Sequence, residues 1–189
     1  MAAYRLKQQL VNNMSEQTSQ SERDEFREYC QRWLEENRPP PTKIPLPQNA
    51  YEVTFHDHRT YLCDWQAKCY EAQLIGTDVP QDYGGHGHTE FQAIASAEVR
   101  KANVPYFINW IGLGMTAPTL LIHGTEEQKK RFLPPIFSAE EIWCQGFSEP
   151  GAGSDLVSLQ TSAIKDGDNW IINGSKVWTS LGAISSWML

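Results

Sequence analysis

The stretch Gly146-Phe147-Ser148-Glu149-Pro150-Gly151-Ala152-Gly153-Ser154-Asp155 decides how this chain is read. Pro150 fixes one φ angle, and Gly151 and Gly153 open backbone conformations closed to other residues. Such a loop brings bare N–H groups close to an anion, with the Ser148 and Ser154 hydroxyls as further donors. A Gly-x-Gly alone is equally an ordinary tight turn. The flanking sequence has to separate the two.

Working outward, Ile142 to Phe147 reads as an apolar strand that feeds the loop, and Leu159 to Ile164 alternates loosely. Asp166-Gly167-Asp168 is a hairpin turn followed by a strand at Trp170-Ile171-Ile172. Asn173-Gly174 marks another turn, and Lys176-Val177-Trp178-Thr179-Ser180 a further strand. Upstream of Ser138 the pattern is helical. Ser19-Gln20-Ser21-Glu22 is a capping box, and Phe26, Tyr29, Cys30, Trp33 and Leu34 then share one helix face until Asn37 and Pro39-Pro40-Pro41 stop it. A proline-rich linker runs to Pro47. A second helix is expected over His58 to Leu74, ended by Gly76, and a third from a Thr89 cap to Val99. Ile108 to His123 is apolar on nearly every side, which implies burial on several sides or a face on a ligand cavity. Thr125-Glu126-Glu127-Gln128 opens a short helix through Phe132 that Pro134-Pro135 is expected to end. The order, helices first and short antiparallel strands second, predicts an α+β chain. Residues 1–18 form a polar, flexible extension, 19–138 an all-α domain, and 139–189 the first strands of a β domain.

Bulk properties narrow the function. A net charge of −7 with no long basic run argues against nucleic acid. No apolar run approaches the roughly 20 residues of a membrane span. The four cysteines form no Cys-x-x-Cys pair and read as reduced thiols of a cytoplasmic protein. Seven tryptophans suggest aromatic packing, against the core or a flat ligand.

Taken together, Glu149-Pro150-Gly151-Ala152-Gly153-Ser154-Asp155, Asp166-Gly167-Asp168, Asn173-Gly174-Ser175-Lys176 and Trp178-Thr179-Ser180 resemble the acyl-CoA dehydrogenase family. Pro80-Gln81-Asp82-Tyr83-Gly84-Gly85 and His123-Gly124-Thr125-Glu126-Glu127-Gln128-Lys129 look like that family's helical domain. The resemblance covers roughly residues 19 to 189 and implies an antiparallel, barrel-like middle domain after the helices. It also implies FAD as cofactor, with Gln145, Phe147, Ser148, Gly153, Ser154, Trp178, Thr179 and Ser180 as its contacts. Ser148 stands where the family usually has a threonine bonded to the flavin ring. Ser154 would bond the pyrophosphate region and lie near the acyl-CoA substrate. Trp178 would pack on the isoalloxazine, with Ser180 near its reactive edge. The implied reaction is α,β-dehydrogenation of an acyl-CoA thioester, with electrons passing to an electron-transfer flavoprotein. The family's C-terminal helical domain carries the base in most branches and drives oligomerisation. No residue here matches that base, so the catalytic set is empty, and this chain by itself is expected to be inactive and to expose apolar docking surface. The alternative is a non-catalytic subunit that completes a flavin site with a partner chain.

Other features carry less. His56/His58 and His86/His88 lack the acids or cysteines a metal site needs, so no metal is assigned. Glu98 is a solvated or ion-paired acid before it is a base. Trp178, taken alone, is a core aromatic, and Ser148 and Ser154 are turn caps. The stretch Leu113 to Pro118 is ordinary core by its residues, and a wall of the acyl channel by the resemblance.

Overall fold

The structure, a computed structural model, describes residues 19–88 and 90–189. The expected extension and the Thr89 cap lie outside the described residues. Among the described residues five α-helices are numbered α1 to α5 and four strands β1 to β4. They fall into two compact units. One joins the residues up to Pro39 with Ala72–Val104, and the other joins Pro40–Glu71 with Pro105–Leu189.

The first unit is built on α1 (Gln20–Glu36) and α3 (Phe91–Lys101). The Ser19 capping box forms as its residues predict. The Glu22 N–H donates to Ser19 Oγ at 3.2 Å, and the Ser19 N–H donates to the Glu22 carboxylate at 2.7 Å. Cys30 and Leu34 on α1 and Ala95 on α3 are buried, and Phe26 stacks on Phe91 at 4.4 Å between centroids. Helix α3 starts at Phe91 after Glu90 in a left-handed conformation (φ 69°) and runs to Lys101. The turn-rich segment from Leu74 folds back on itself, and Gly85 approaches Val79 so closely that a Cβ would sit 2.0 Å from its carbonyl oxygen. Only glycine fits there.

The second unit holds the remaining elements. Helix α2 (His56–Glu71) starts two residues earlier and ends three earlier than its periodicity suggests. Its Leu62, Trp65 and Cys69 are buried. The apolar stretch from Ile108 is not one regular helix. Gly112–Thr116 is a π-helical turn, and α4 (Ala117–His123) follows it with Pro118 in its first turn. A proline has no N–H to donate back into the preceding turn, and the wider π turn absorbs that mismatch. Ile111, Gly112, Thr116 and Ala117 are buried, but Ile122 is exposed, so one side is buried rather than several.

Helix α5 (Glu126–Phe137) continues through Pro134-Pro135 instead of ending at Phe132. Both proline carbonyls still accept, from the N–H groups of Ser138 (3.1 Å) and Glu141 (3.1 Å), so the last turn closes. Beyond it, β1 (Trp143–Cys144) pairs in parallel with β4 (Trp187–Met188). Strand β2 (Ser162–Asp166) forms an antiparallel hairpin with β3 (Asn169–Asn173), turned at Gly167 with φ 60°. The α+β order stands. The parallel pair departs from an all-antiparallel expectation, and the four strands form two separate two-stranded sheets rather than a closed barrel.

Candidate functional site

Strand β1 leads directly into the glycine loop, so whatever fixes β1 aims the loop. Four sets of contacts fix it. Asn109, fully buried, accepts the Trp143 N–H on Oδ1 (3.0 Å), while its Nδ2 donates to the carbonyls of Ile136 (3.1 Å) and Glu141 (3.0 Å). Gln66, also fully buried, accepts the Asn109 N–H and donates to Ile136 and Phe137. On the strand's other side, Trp143 and Trp187 stack at 6.0 Å, with Phe132 edge-on to both. Arg131 grips Glu141 through two nitrogens (3.0 and 2.7 Å), and the Trp187 indole N–H donates to the same carboxylate at 2.8 Å. Two of the seven tryptophans are thus accounted for by packing.

The loop itself departs from a strand after Cys144. Gln145 makes a single antiparallel bridge to Ser180. The Gly146 N–H donates to the Leu189 carbonyl at 3.0 Å, and a Cβ at Gly146 would lie 2.1 Å from Met188 Sδ. Ser148 accepts the Val177 N–H on its carbonyl at 2.9 Å. Glu149 and Ala152 exchange two backbone hydrogen bonds, 2.8 and 3.1 Å, that close the turn over Pro150-Gly151. Gly151 and Gly153 have nothing within 4 Å of where a Cβ would be. Ser154 is exposed, Phe147 partly exposed and Ser148 half-buried.

The segment Lys176–Ser180 is not a strand. Trp178 takes φ 55° and bends the chain between Val177 and the Ser180 bridge, and Leu181 takes φ 67° just beyond it. Leu181 is buried, and Trp178 is 89% exposed. Thr179 accepts the Gly182 N–H at 2.9 Å. The structure therefore brings Gln145 beside Ser180 and Ser148 beside Val177. It leaves Gly153 and Ser154 on the open side of the turn.

Two residues of this corner escaped the sequence reading. Glu149 is buried and Lys176 nearly so, and they form an ion pair at 2.9 Å. Thr161 foremost, then the Gln160 N–H and the Lys176 ammonium, lower the Glu149 carboxyl to about 2. An acid and a lysine 27 positions apart carry no spacing signal. The pair is visible only once the loop has closed.

The other candidates resolve differently. Glu98 is buried and receives Lys101 Nζ at 2.6 Å and Gln31 Nε2 at 3.0 Å, with Arg27 at 3.8 Å. The Lys101 hydrogen bond is the main reason its carboxyl is held below the usual range. His58 Nε2 meets the Ile44 carbonyl at 2.9 Å, and His88 Nε2 meets Gln73 Oε1 at 3.0 Å. Among the described residues no three of His, Cys, Asp and Glu gather as metal ligands. The four cysteines are free thiols, and burial pushes Cys30 up to about 12.

Residues 20–140 match the family model for the acyl-CoA dehydrogenase N-terminal domain, and residues 144–189 match that for its middle domain. The chain belongs to the acyl-CoA dehydrogenase family. It is 39% identical over 169 residues to the acyl-CoA dehydrogenase IpdE1 of Mycobacterium tuberculosis, a match covering 87% of this chain and 43% of that protein. Among solved structures it resembles the Tcur3481-Tcur3483 steroid ACAD (32% identity, TM-score 0.61, 93% of this chain and 43% of that one). It also resembles the ChsE4-ChsE5 complex from Mycobacterium tuberculosis (27% identity, TM-score 0.64, 92% and 42%). The chain thus spans less than half the length of these relatives. Within the acyl-CoA dehydrogenase frame, α1 to α5 are the helical part and β1 to β4 a few strands of the middle domain. None of its described helices is long and apolar enough to cross a membrane.

Proposed function

We propose that this acyl-CoA dehydrogenase chain supplies the helical frame and the flavin-holding corner of an FAD-dependent enzyme that desaturates an acyl-CoA thioester. The observation that carries the reading is the Ser148 to Val177 hydrogen bond. It ties an open glycine turn to a tryptophan whose ring is almost wholly uncovered. These residues fit the group. Bare N–H groups and the Ser154 hydroxyl suit a pyrophosphate, and Gly153 has room for it where a side chain would stand. A flat ring suits the exposed Trp178 face. By the family resemblance Ser148 and Ser180 would supply hydroxyls to the flavin, and Gln145, Phe147 and Thr179 would complete its contacts. When bound, FAD supplies the hydride acceptor for the β-hydrogen. Fixed donors aimed at it stabilise developing negative charge.

Neither buried carboxylate suits the α-proton. Glu98 and Glu149 are each surrounded by donors and held in the charged form, whereas a general base works best with a value near the operating pH. We therefore assign neither as the base; the family resemblance places the base outside these residues, and turnover, with electron delivery to an electron-transfer flavoprotein, would need that addition. We keep the division of the chain near 138/139; the first family model runs to residue 140 and the second begins at residue 144. A cytoplasmic setting agrees with four free thiols. A second reading, a subunit that completes a flavin site with an unlike partner, draws on the two-component relatives.

The purified chain mixed with FAD tests both. A bound, yellow, reducible flavin supports the corner as drawn, and its persistence without any further domain favours the subunit reading. Trp178→Ala combined with Ser154→Ala should abolish flavin retention. Unchanged flavin content in that double variant refutes the assignment.

A further inference from the structure

We propose that the Glu149–Lys176 ion pair is the positioning device of the cofactor corner, setting how far the glycine loop stands from Trp178. The inference rests on the flavin reading above. Glu149 Oε2 accepts the Gln160 N–H at 2.7 Å, and Oε1 accepts the Thr161 N–H at 3.0 Å and the Lys176 ammonium at 2.9 Å. The same ammonium donates to the Phe147 carbonyl at 3.0 Å. One carboxylate and one ammonium therefore hold three segments together: the glycine loop, the entry to β2, and the stretch carrying Trp178. Gly174 belongs to the arrangement, because a Cβ there would lie 2.2 Å from Thr161 Oγ1.

The surroundings explain why charge does this task. Residues 153–160 and 162–175 are exposed, and only Ala152 and Leu181 are buried nearby, so no apolar core sets this corner. An apolar pair would close the gap with little loss of stability, but it would not fix direction, because dispersion contacts slide where hydrogen bonds do not. Glu149 and Lys176 are distinct from Ser148, Ser154 and Trp178, and they act through them. The donors that hold the Glu149 carboxyl below its ordinary value keep that carboxylate charged throughout the neutral range.

The test uses the whole chain with Glu149→Gln, Lys176→Met, their combination, and Lys176→Arg. FAD affinity is read from flavin fluorescence, and the environment of the ring from its visible bands. Amide hydrogen exchange at Val177 and Thr161 is followed beside that of the helices. We expect each single variant to weaken FAD binding about tenfold, as loss of one partner of a near-buried charge pair does. The visible bands should shift and Val177 should exchange faster, with helix amides unchanged. The double variant should be no worse than either single one, and Lys176→Arg should restore binding. Wild-type affinity and spectrum in both single variants, or additive losses in the double one, overturn the positioning role while leaving the flavin reading intact. Unchanged Val177 exchange in Glu149→Gln overturns it without any cofactor. A wild-type chain that takes up no FAD overturns the flavin reading, and the pair's role toward a cofactor goes with it.

Discussion

Three residues show how little local chemistry separates a structural position from a working one. Glu98 is a buried acid on α3, the usual description of a base, yet Lys101, Gln31 and Arg27 all point at it. Its folded value is lowered, so its contribution is present above the ordinary glutamate value and lost as pH falls through the lowered one. Glu98→Gln should cost about 1 kcal/mol at neutral pH. The gap to wild type in thermal melts should narrow as pH falls below the ordinary glutamate value and vanish once it is below the lowered one. A gap that persists in acid would mean the carboxylate charge is not what matters. Glycine gives a paired case in the π turn. A Cβ at Gly112 would stand 2.5 Å from Asn109 Oδ1, whereas one at Gly114 would meet nothing within 4 Å. Gly112→Ala should destabilise by about 1–3 kcal/mol through overpacking. Gly114→Ala should be neutral or stabilise by up to about 1 kcal/mol, since alanine is the better helix residue. Urea melts of the two variants decide it, and equal effects would refute the packing account.

At the level of elements, β1 is two residues long and held by a side chain 34 positions away. Asn109→Ala strips a partner from the Trp143 N–H and from the Glu141 carbonyl in a buried place, while the Ile136 carbonyl keeps Gln66 as donor. Unmet buried groups cost about 1–3 kcal/mol each, and a loss of at least 2 kcal/mol is expected, with faster amide exchange at Trp143. Exchange that stays slow would show that β1 is held by the tryptophan stack alone. The contrast with the capping boxes explains what the sequence discloses. Ser19 with Glu22 and Thr125 with Gln128 satisfy each other within four residues, so their geometry is written in adjacent letters. The β2–β3 hairpin with its Gly167 turn is equally local. Asn109 with Trp143, Glu149 with Lys176, and the parallel β1–β4 pair join distant stretches by pairings no period announces. The break at Trp178 is of the same kind. Lys176–Ser180 has the letters of a strand, but the Ser148 carbonyl and the Gln145 bridge take its two ends, and the chain bends between them. The nearness of the glycine loop to Trp178 follows from the family resemblance, not from periodicity.

On the scale of the molecule, apolar surface is distributed unevenly. In the hairpin, Ala163 faces Ile172 and Ile164 faces Ile171 across the ladder. Ile164, Trp170, Ile171 and Ile172 are each at least half exposed, so neither face of this sheet is covered. A two-stranded sheet is marginal in water by itself, and an uncovered apolar one with free edges is a template for association. The expectation is that the chain self-associates through this hairpin as its concentration rises. Trp170→Lys with Ile172→Lys places two charges on one face while leaving the backbone ladder intact. In light scattering and size exclusion, that double variant should run as a smaller species than wild type. Helical circular dichroism should be unchanged, because the helices contribute nothing to the substituted face. A control pair at exposed polar positions, Asp166→Asn with Asn169→Asp, preserves net charge and should associate like wild type. If the lysine variant associates just as strongly, the sticky surface lies elsewhere, with the exposed Trp178 as the next position to substitute. If only the lysine variant is dispersed, the hairpin is the associating face, and the glycine-loop corner that Glu149 ties to the entry of β2 would gain order when that face is covered.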